Sequence, residues 1–159
     1  LPLDVHLMIE QPERYISDFA SSGANIITVH VEACLHLHQT IHLLKDLGVR
    51  AGVALNPATP LRSIEGIVPY VDLILIMSVN PAFSGQTFIP ESLEKISHLR
   101  RMLDDKNLAA EIEVDGGITI DNTPSIVEAG GKTLAVGNSA FKTKEGISQA
   151  LQKFRQAIS

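Results

Sequence analysis

The residues best suited to chemistry lie in one short stretch, from Glu113 to Ile118. It is predicted to form a buried strand that ends at the carboxylate of Asp115 and continues into Gly116 and Gly117 ahead of a helix. A carboxylate can move a proton, and glycine amides can approach an anion closely, so the stretch combines a proton-transfer group with a phosphate cradle. Asp-Gly-Gly is also common in simple turns, so whether it indicates a functional site depends on the strands and helices around it.

Composition limits the class of protein. The chain of 159 residues, 45% hydrophobic and 19% charged, fits one globular domain. A net charge of −5 with no Lys/Arg cluster argues against a nucleic-acid partner. The single Cys34 excludes an internal disulfide and suits a reducing compartment. Because there is no apolar run of ~18 residues and no signal-peptide pattern, we expect a cytoplasmic protein without a membrane partner.

Predicted strands and helices alternate along the whole chain. The strands are predicted at residues 3–9, 25–31, 49–55, 71–79, 110–115 and 132–136, and the helices at 12–22, 36–47, 60–68, 90–104, 123–129 and 144–157. This alternation predicts a parallel α/β fold, either a (β/α) barrel or an open doubly wound sheet. No Gly-x-Gly-x-x-Gly follows the first strand, which weakens the dinucleotide-binding alternative. In a barrel, all polar strand exits would share the rim where barrel enzymes place their sites.

Six sequence blocks, in order, resemble ribulose-phosphate 3-epimerases. They are residues 4–8, 28–33, 52–60, 77–81, 85–90 and 114–118. The resemblance runs from the third barrel strand of that family to its end. It therefore implies an eight-unit TIM barrel of the ribulose-phosphate binding type, present here as six βα units in a single partial domain over residues 1–159. The start at Leu1, inside a predicted strand, is consistent with a fragment.

The resemblance also implies a reaction and a set of site residues. The family interconverts D-ribulose 5-phosphate and D-xylulose 5-phosphate through a cis-enediolate, with a divalent metal held by two His and two Asp. It implies that His6 is a metal ligand and that Asp115 is both a metal ligand and one of the acid-base pair. It implies that Met8 and Met77 pack against the substrate, although core filling is equally compatible with them. Such a site suits Zn, Fe(II), Mn or Co.

The phosphate of the sugar is expected to bind to backbone amides at three strand exits, which are Ser84–Gly85, Gly116–Gly117 and Gly137–Asn138. This chain departs from its relatives here, with Ala82 and Ser84 at usual glycines and Asn138 where Ser or Thr is usual. If those glycines serve a positive φ, each replacement strains the loop by roughly 1–2 kcal/mol. We therefore expect weaker phosphate binding or a shifted substrate preference.

Three polar residues expected on the inner face of the sheet, His30, Glu32 and Glu113, have no assigned role. His30 and Glu32 share strand parity and are expected at the barrel mouth, either orienting the site or serving the structure. Glu113 shares parity with Asp115 and should lie one layer deeper, where a buried carboxylate needs a partner.

The implied machinery is incomplete within this chain. The other metal-ligating His and the other Asp would lie in the absent units, so we expect these residues alone to be inactive. An unclosed barrel also leaves two unpaired edges, which predicts poor solubility unless chains pair. The family tends to form dimers or hexamers, so a homo-oligomer is expected at full length.

Two other functions stay open. A related phosphate-binding barrel enzyme, such as a hexulose-phosphate synthase, would be expected to carry an Asp-x-Lys strand motif. The sequence Asp104-Asp105-Lys106 lies at a predicted helix end instead. A non-catalytic remnant is the second alternative, favoured by Ala82, Ser84 and Asn138.

Overall fold

The computed structural model describes residues 1–81 and 85–158. Within these ranges, six parallel strands form one sheet in the order β1 to β6. They are β1 (Asp4–Leu7), β2 (Ile26–His30), β3 (Arg50–Leu55), β4 (Leu73–Met77), β5 (Glu111–Asp115) and β6 (Thr133–Ala135). The α-helices are α1 (Ile16–Ser21), α2 (Leu37–Asp46), α3 (Ser92–Asp105), α4 (Thr123–Glu128), α5 (Asn138–Phe141) and α6 (Ile147–Ala157). None of the helices in the described ranges has the length and hydrophobicity needed to span a bilayer.

The two faces of the sheet have different partners. Every residue of β2 and β4 is buried, as expected for parallel strands covered on both sides. One face packs on the helices in the main core, where Ile27 and Ile76 join helix residues such as Leu99. The opposite face forms a smaller cluster made only of residues in or next to strands, namely Ile26, Ala54, Leu73, Leu75, Met77 and Val79.

The strand order and the placement of the helices indicate a barrel-type sheet and not a doubly wound one. Each strand pairs with its neighbours in sequence, without the reversal of order that a doubly wound sheet requires. Among residues 1–81 and 85–158, helix residues join the core on one face of the sheet only. The sheet is also curled. His6 on β1 lies 3.5 Å from Asp115 on β5, although a flat sheet would separate those two strands by about 19 Å. The prediction of a TIM-barrel fold in six-unit form is confirmed.

The predicted helix at residues 60–68 is wrong. The structure has two 3₁₀ turns there, Leu61–Ser63 and Val68–Tyr70. Gly66 and the β-branched residues around it favour a helix weakly, and Pro69 prevents its continuation. A chain segment that only has to cross from β3 to β4 can do so in two short turns.

Two other helix predictions need smaller corrections. The first predicted helix divides into a 3₁₀ turn at Pro12–Arg14 and the α-helix α1. The last helix begins at Ile147 rather than Lys144, because Gly146 has a φ of 85° outside the helical region. The short helix α5, directly after β6, was not predicted.

Candidate active site

His6 and Asp115 meet at the inner face of the sheet. His6 Nδ1 lies 3.5 Å from Asp115 Oδ2, and the Asp115 side chain keeps 26% exposure. Asp115 is the last residue of β5 and pairs in register with Met77 of β4. The strand end thus holds the carboxylate at the rim, and the curl of the sheet brings His6 to it. The structure brings together the two side chains that the sequence predicted to share a site.

A second histidine and a carboxylate lie behind His6. His6 Nε2 is 2.8 Å from His30 Nε2, and His30 Nδ1 is 3.2 Å from Glu32 Oε2. Glu32 Oε1 accepts hydrogen bonds from the Asn56 N–H at 2.8 Å and from the Thr59 hydroxyl. Burial raises the pKa of Glu32, but the hydrogen bonds from His30, Thr59 and Asn56 outweigh it and lower the pKa to about 2. Glu32 is therefore ionised at neutral pH.

A cleft of 740 Å³ opens beside Asp115. Gly116 and Gly117 form part of its wall, with φ of 124° and 63°. A Cβ on Gly116 would lie 2.9 Å from the Val79 backbone N, and one on Gly117 would lie 2.8 Å from the Phe88 Cα. Neither position has room for a side chain, so only glycines let the backbone follow this wall.

The other predicted phosphate-binding residues lie on the same cleft. Gly85, Gly137 and Asn138 all line it. A Cβ on Gly85 would be 3.4 Å from Asn138 Nδ2, so these two strand exits adjoin. Ser84 and Ala82 lie outside the described residues, and the predicted effects of these two residues stay predictions.

The two predicted methionines line the cleft in different ways. Met77 is 1% exposed and belongs to the inner apolar cluster, whereas Met8 is 49% exposed just after β1. Met77 therefore fills the core and contributes to the cleft wall at once. Met8 offers an open apolar surface to whatever occupies the cleft.

Sequence reasoning missed the residues that hold the glycine loop. Ser78 Oγ donates to the Gly116 carbonyl at 2.7 Å, and Asn122 Nδ2 donates to the Gly117 carbonyl at 3.0 Å. Ser139 Oγ donates to the Ile118 carbonyl at 2.7 Å. The Thr119-x-x-Asn122 turn before α4 was a visible signal, because side chains of this type commonly cap turns.

Lys95 of α3 was also missed. Its Nζ donates to three carbonyls of the β3 exit loop, those of Asn56 at 3.0 Å, Pro57 at 2.6 Å and Thr59 at 2.9 Å. The same loop supplies the Asn56 N–H and Thr59 hydroxyl that bind Glu32. Lys95 thus fixes the loop that fixes Glu32.

Glu113 lies one layer below Asp115, as its parity predicted. It is 7% exposed, and its Oε2 has no hydrogen-bond partner among the described residues. Burial raises the pKa of Glu113 to about 7, and the carboxylates of Asp4, Asp115 and Glu111 add to the rise.

The described residues offer only part of a metal site. No group of three or more His, Cys, Asp or Glu side chains within residues 1–81 and 85–158 is arranged to hold an ion. The pair of His6 and Asp115 does fit two ligands of one ion. Metal–N and metal–O distances of about 2.0–2.2 Å at a tetrahedral angle separate two donors by about 3.4 Å, and the observed separation is 3.5 Å.

Two solved structures of enzymes align closely with this chain. The 3-keto-L-gulonate-6-phosphate decarboxylase of Vibrio cholerae aligns with a TM-score of 0.74 at 18% identity, covering 98% of this chain and 71% of that one. The 3-hexulose-6-phosphate synthase of Salmonella typhimurium aligns with a TM-score of 0.71 at 18% identity, and the alignment covers 94% of this chain and 68% of that one. At such identity, the likeness shows the fold alone.

Sequence comparison is more specific. The family model described as "Ribulose-phosphate 3 epimerase family" matches residues 1–141. Ribulose-phosphate 3-epimerase of Bacillus subtilis is 52% identical over 142 residues, which are 89% of this chain and 65% of the relative. That of Synechocystis is 54% identical over 141 residues, 87% of this chain and 61% of the relative. The chain thus spans less than two thirds of the length of these relatives, and it belongs to the ribulose-phosphate 3-epimerase family.

Proposed function

We propose that this chain supplies one half of an active site that interconverts D-ribulose 5-phosphate and D-xylulose 5-phosphate at C3. The observation that carries the proposal is the 3.5 Å approach of His6 Nδ1 to Asp115 Oδ2 beside the glycine-walled cleft. Family membership supports the choice of reaction.

His6 and Asp115 would hold a divalent metal ion of the Zn, Fe(II), Mn or Co class. Nitrogen and carboxylate donors suit any of these ions, so ligand type alone does not select among them. When bound, the ion supplies positive charge against the oxyanion that develops on the sugar as its C3 proton leaves.

Asp115 is the proposed proton-transfer residue. Its carboxylate ends β5 at the wall of the cleft and is partly exposed, so it can reach a bound sugar. Epimerisation also needs an acid on the opposite face of the sugar plane. Glu113 cannot provide it, because it lies on the same strand, on the same face and one layer deeper. We therefore expect catalysis only when a further segment adds a second carboxylate.

The cleft wall would bind the rest of the sugar phosphate. Gly116 and Gly117 expose backbone where a phosphate needs amide donors, and Gly137 lies on the same cleft. Met8 and Met77 add an apolar wall that offers no competing proton. The alternative of a hexulose-phosphate synthase is disfavoured, because none of the six described strands contains a lysine.

A fusion protein tests the proposal. This chain is joined behind an N-terminal segment of the Bacillus subtilis relative that carries the two βα units implied by the family resemblance. The fusion should interconvert the two pentulose phosphates, whereas the unfused chain should not. Asp115→Asn in the fusion should lower kcat by a hundredfold or more, as expected for loss of a proton-transfer group.

A matched control separates chemistry from folding. Asp105→Asn changes an exposed carboxylate at the end of α3 and should leave the activity of the fusion unchanged. A well-folded fusion that is inactive, or whose activity survives Asp115→Asn, would contradict the proposed function.

A further inference from the structure

A buried row of polar side chains extends from the candidate site on the side of His6 opposite Asp115. His30 is 5% exposed, so water does not satisfy its ring nitrogens. Its Nε2 faces His6 Nε2 at 2.8 Å, and its Nδ1 faces Glu32 Oε2 at 3.2 Å. The proposed function assigns no task to either His30 or Glu32.

Hydrogen-bond direction along this row is fixed from the Glu32 end. The carboxylate of Glu32 is ionised and can only accept, so His30 Nδ1 carries the hydrogen that it donates. A neutral imidazole has one N–H, which makes His30 Nε2 an acceptor. His6 Nε2 must then donate to His30, which leaves a lone pair on His6 Nδ1.

That lone pair lies close to another acceptor. His6 Nδ1 and Asp115 Oδ2 are 3.5 Å apart, and a carboxylate, like the lone pair, can only accept a hydrogen bond. Two facing electron-pair donors repel each other unless a cation lies between them. In the opposite tautomer, the Nδ1–H of His6 would donate to Asp115, and the hydrogen bond would occupy both ligands. The tautomer of His6 therefore decides whether this pair is open to a cation.

We propose that His30 and Glu32 are positioning residues that hold His6 in its Nε2–H tautomer and so present Nδ1 and Asp115 Oδ2 together to a divalent cation. The identity of the cation rests on the proposed function. The tautomer is a property of this chain and can be measured without metal or substrate.

Glu32→Gln gives the sharpest test. The Asn56 N–H and the Thr59 hydroxyl both donate to Oε1, so the amide oxygen of the substituted side chain stays on them. Its NH₂ group then faces His30 Nδ1 and donates to it. His30 then carries its hydrogen on Nε2 instead of Nδ1 and donates it to His6 Nε2. His6 must accept at Nε2, so it becomes the Nδ1–H tautomer.

Long-range ¹H–¹⁵N correlation spectra of the ¹⁵N-labelled chain, recorded near neutral pH with chelator, report which ring nitrogen carries the hydrogen. His6 signals are identified by their loss in His6→Gln. The expected result is His6 as Nε2–H and His30 as Nδ1–H in the unsubstituted chain, and the reverse of both in Glu32→Gln. Glu94→Gln is the matched control, because Glu94 lies 3.8 Å from His98 on the exposed face of α3 and should leave both signals unchanged.

His30→Phe is the second variant, which keeps an aromatic ring but removes the acceptor for His6. It should release His6 toward the Nδ1–H tautomer, so the test does not depend on one variant folding. The inference is overturned if His6 already carries its hydrogen on Nδ1 in the unsubstituted chain, or if Glu32→Gln and His30→Phe leave its tautomer unchanged.

Zn²⁺ titration of the fusion protein, with and without Glu32→Gln, gives an independent readout, because the added units are expected to supply the metal ligands that this chain lacks. Glu32→Gln should weaken Zn²⁺ binding at His6 by about 10- to 100-fold, as for other residues that orient metal ligands. If the tautomers reverse as expected but Zn²⁺ shifts no His6 signal in the fusion protein, the positioning role of His30 and Glu32 is supported and the proposed function is contradicted.

Discussion

At the scale of single residues, two of the three carboxyl groups on β5, those of Asp115 and Glu113, have different surroundings. Asp115 ends the strand beside His6 and the cleft. Glu113, two residues earlier on the same face, is buried with one oxygen unpartnered among the described residues. Because burial and the carboxylates of Asp4, Asp115 and Glu111 all disfavour its charged form, the pKa of Glu113 rises to about 7. The depth of Glu113 in the sheet thus favours the protonated form of its carboxyl group.

Glu113→Gln should stabilise the metal-free chain at alkaline pH. The pKa of Glu113 lies near 4.5 when unfolded and near 7 when folded, so the folded state binds more protons between these values. Its contribution to the free energy of unfolding therefore falls as the pH rises from about 4.5 to about 7, and the variant removes this loss. We expect Glu113→Gln to raise the free energy of unfolding by roughly 1–3 kcal/mol at pH 8 and to change it little near pH 4. Urea unfolding with chelator measures both, and equal destabilisation at the two pH values would contradict this account.

At the scale of elements, the loop after β3 connects the helix layer to the site. Lys95 of α3 binds the carbonyls of Asn56, Pro57 and Thr59, while Asn56 and Thr59 hold Glu32 from the other side. A helix on the outer layer thus fixes the position of a carboxylate at the inner rim.

Lys95→Met should loosen this loop. The substitution removes the three hydrogen bonds that the charged Lys95 Nζ donates, so the three loop carbonyls lose this donor. We expect the free energy of unfolding to fall by about 2–3 kcal/mol and amide hydrogen exchange at Asn56 and Thr59 to accelerate. Lys106→Met is the control, since Lys106 is exposed at the end of the same helix. Similar losses in both variants would show that the loop contacts contribute little.

The glycine loop after β5 gives a second prediction at this scale. Gly117→Ala adds a Cβ that would lie 2.8 Å from the Phe88 Cα, at a φ of 63°. We expect a loss of about 1–2 kcal/mol in stability from the backbone strain alone and weaker binding of inorganic phosphate, measured by amide shifts of Gly116. Gly66→Ala is the matched control, because its Cβ would meet nothing within 4 Å. Unchanged phosphate binding in Gly117→Ala would remove this loop from the proposed site.

The parts that the sequence could predict are those encoded locally. Strand parity placed His30 and Glu113 on the inner face, and alternation of elements predicted the parallel sheet that the structure shows. Lys95 gave no such signal, because its partners lie 36 to 39 residues away and are backbone carbonyls that any sequence possesses. The alternation of elements predicted a helix at residues 60–68, but Gly66 and Pro69 disfavour one there and the chain forms two 3₁₀ turns instead.

At the scale of the whole molecule, the sheet is curled but open. Among the described strands, β1 pairs only with β2 and β6 pairs only with β5. Each of these two strands therefore presents a row of backbone donors and acceptors to its surroundings, which is the usual template for pairing between chains. Within the described ranges, no helix residue belongs to the inner apolar cluster of this sheet.

We therefore predict that the unfused chain self-associates and that completing the barrel suppresses it. Sedimentation velocity across a range of concentrations should show larger species for the unfused chain, and a smaller, narrower distribution for the fusion with two further βα units. The fusion carrying Asp115→Asn should behave like the active fusion, because closure of the sheet depends on strand pairing and not on the proton-transfer group. A monomeric unfused chain that unfolds cooperatively at every concentration would show that the open edges are protected by some feature other than closure.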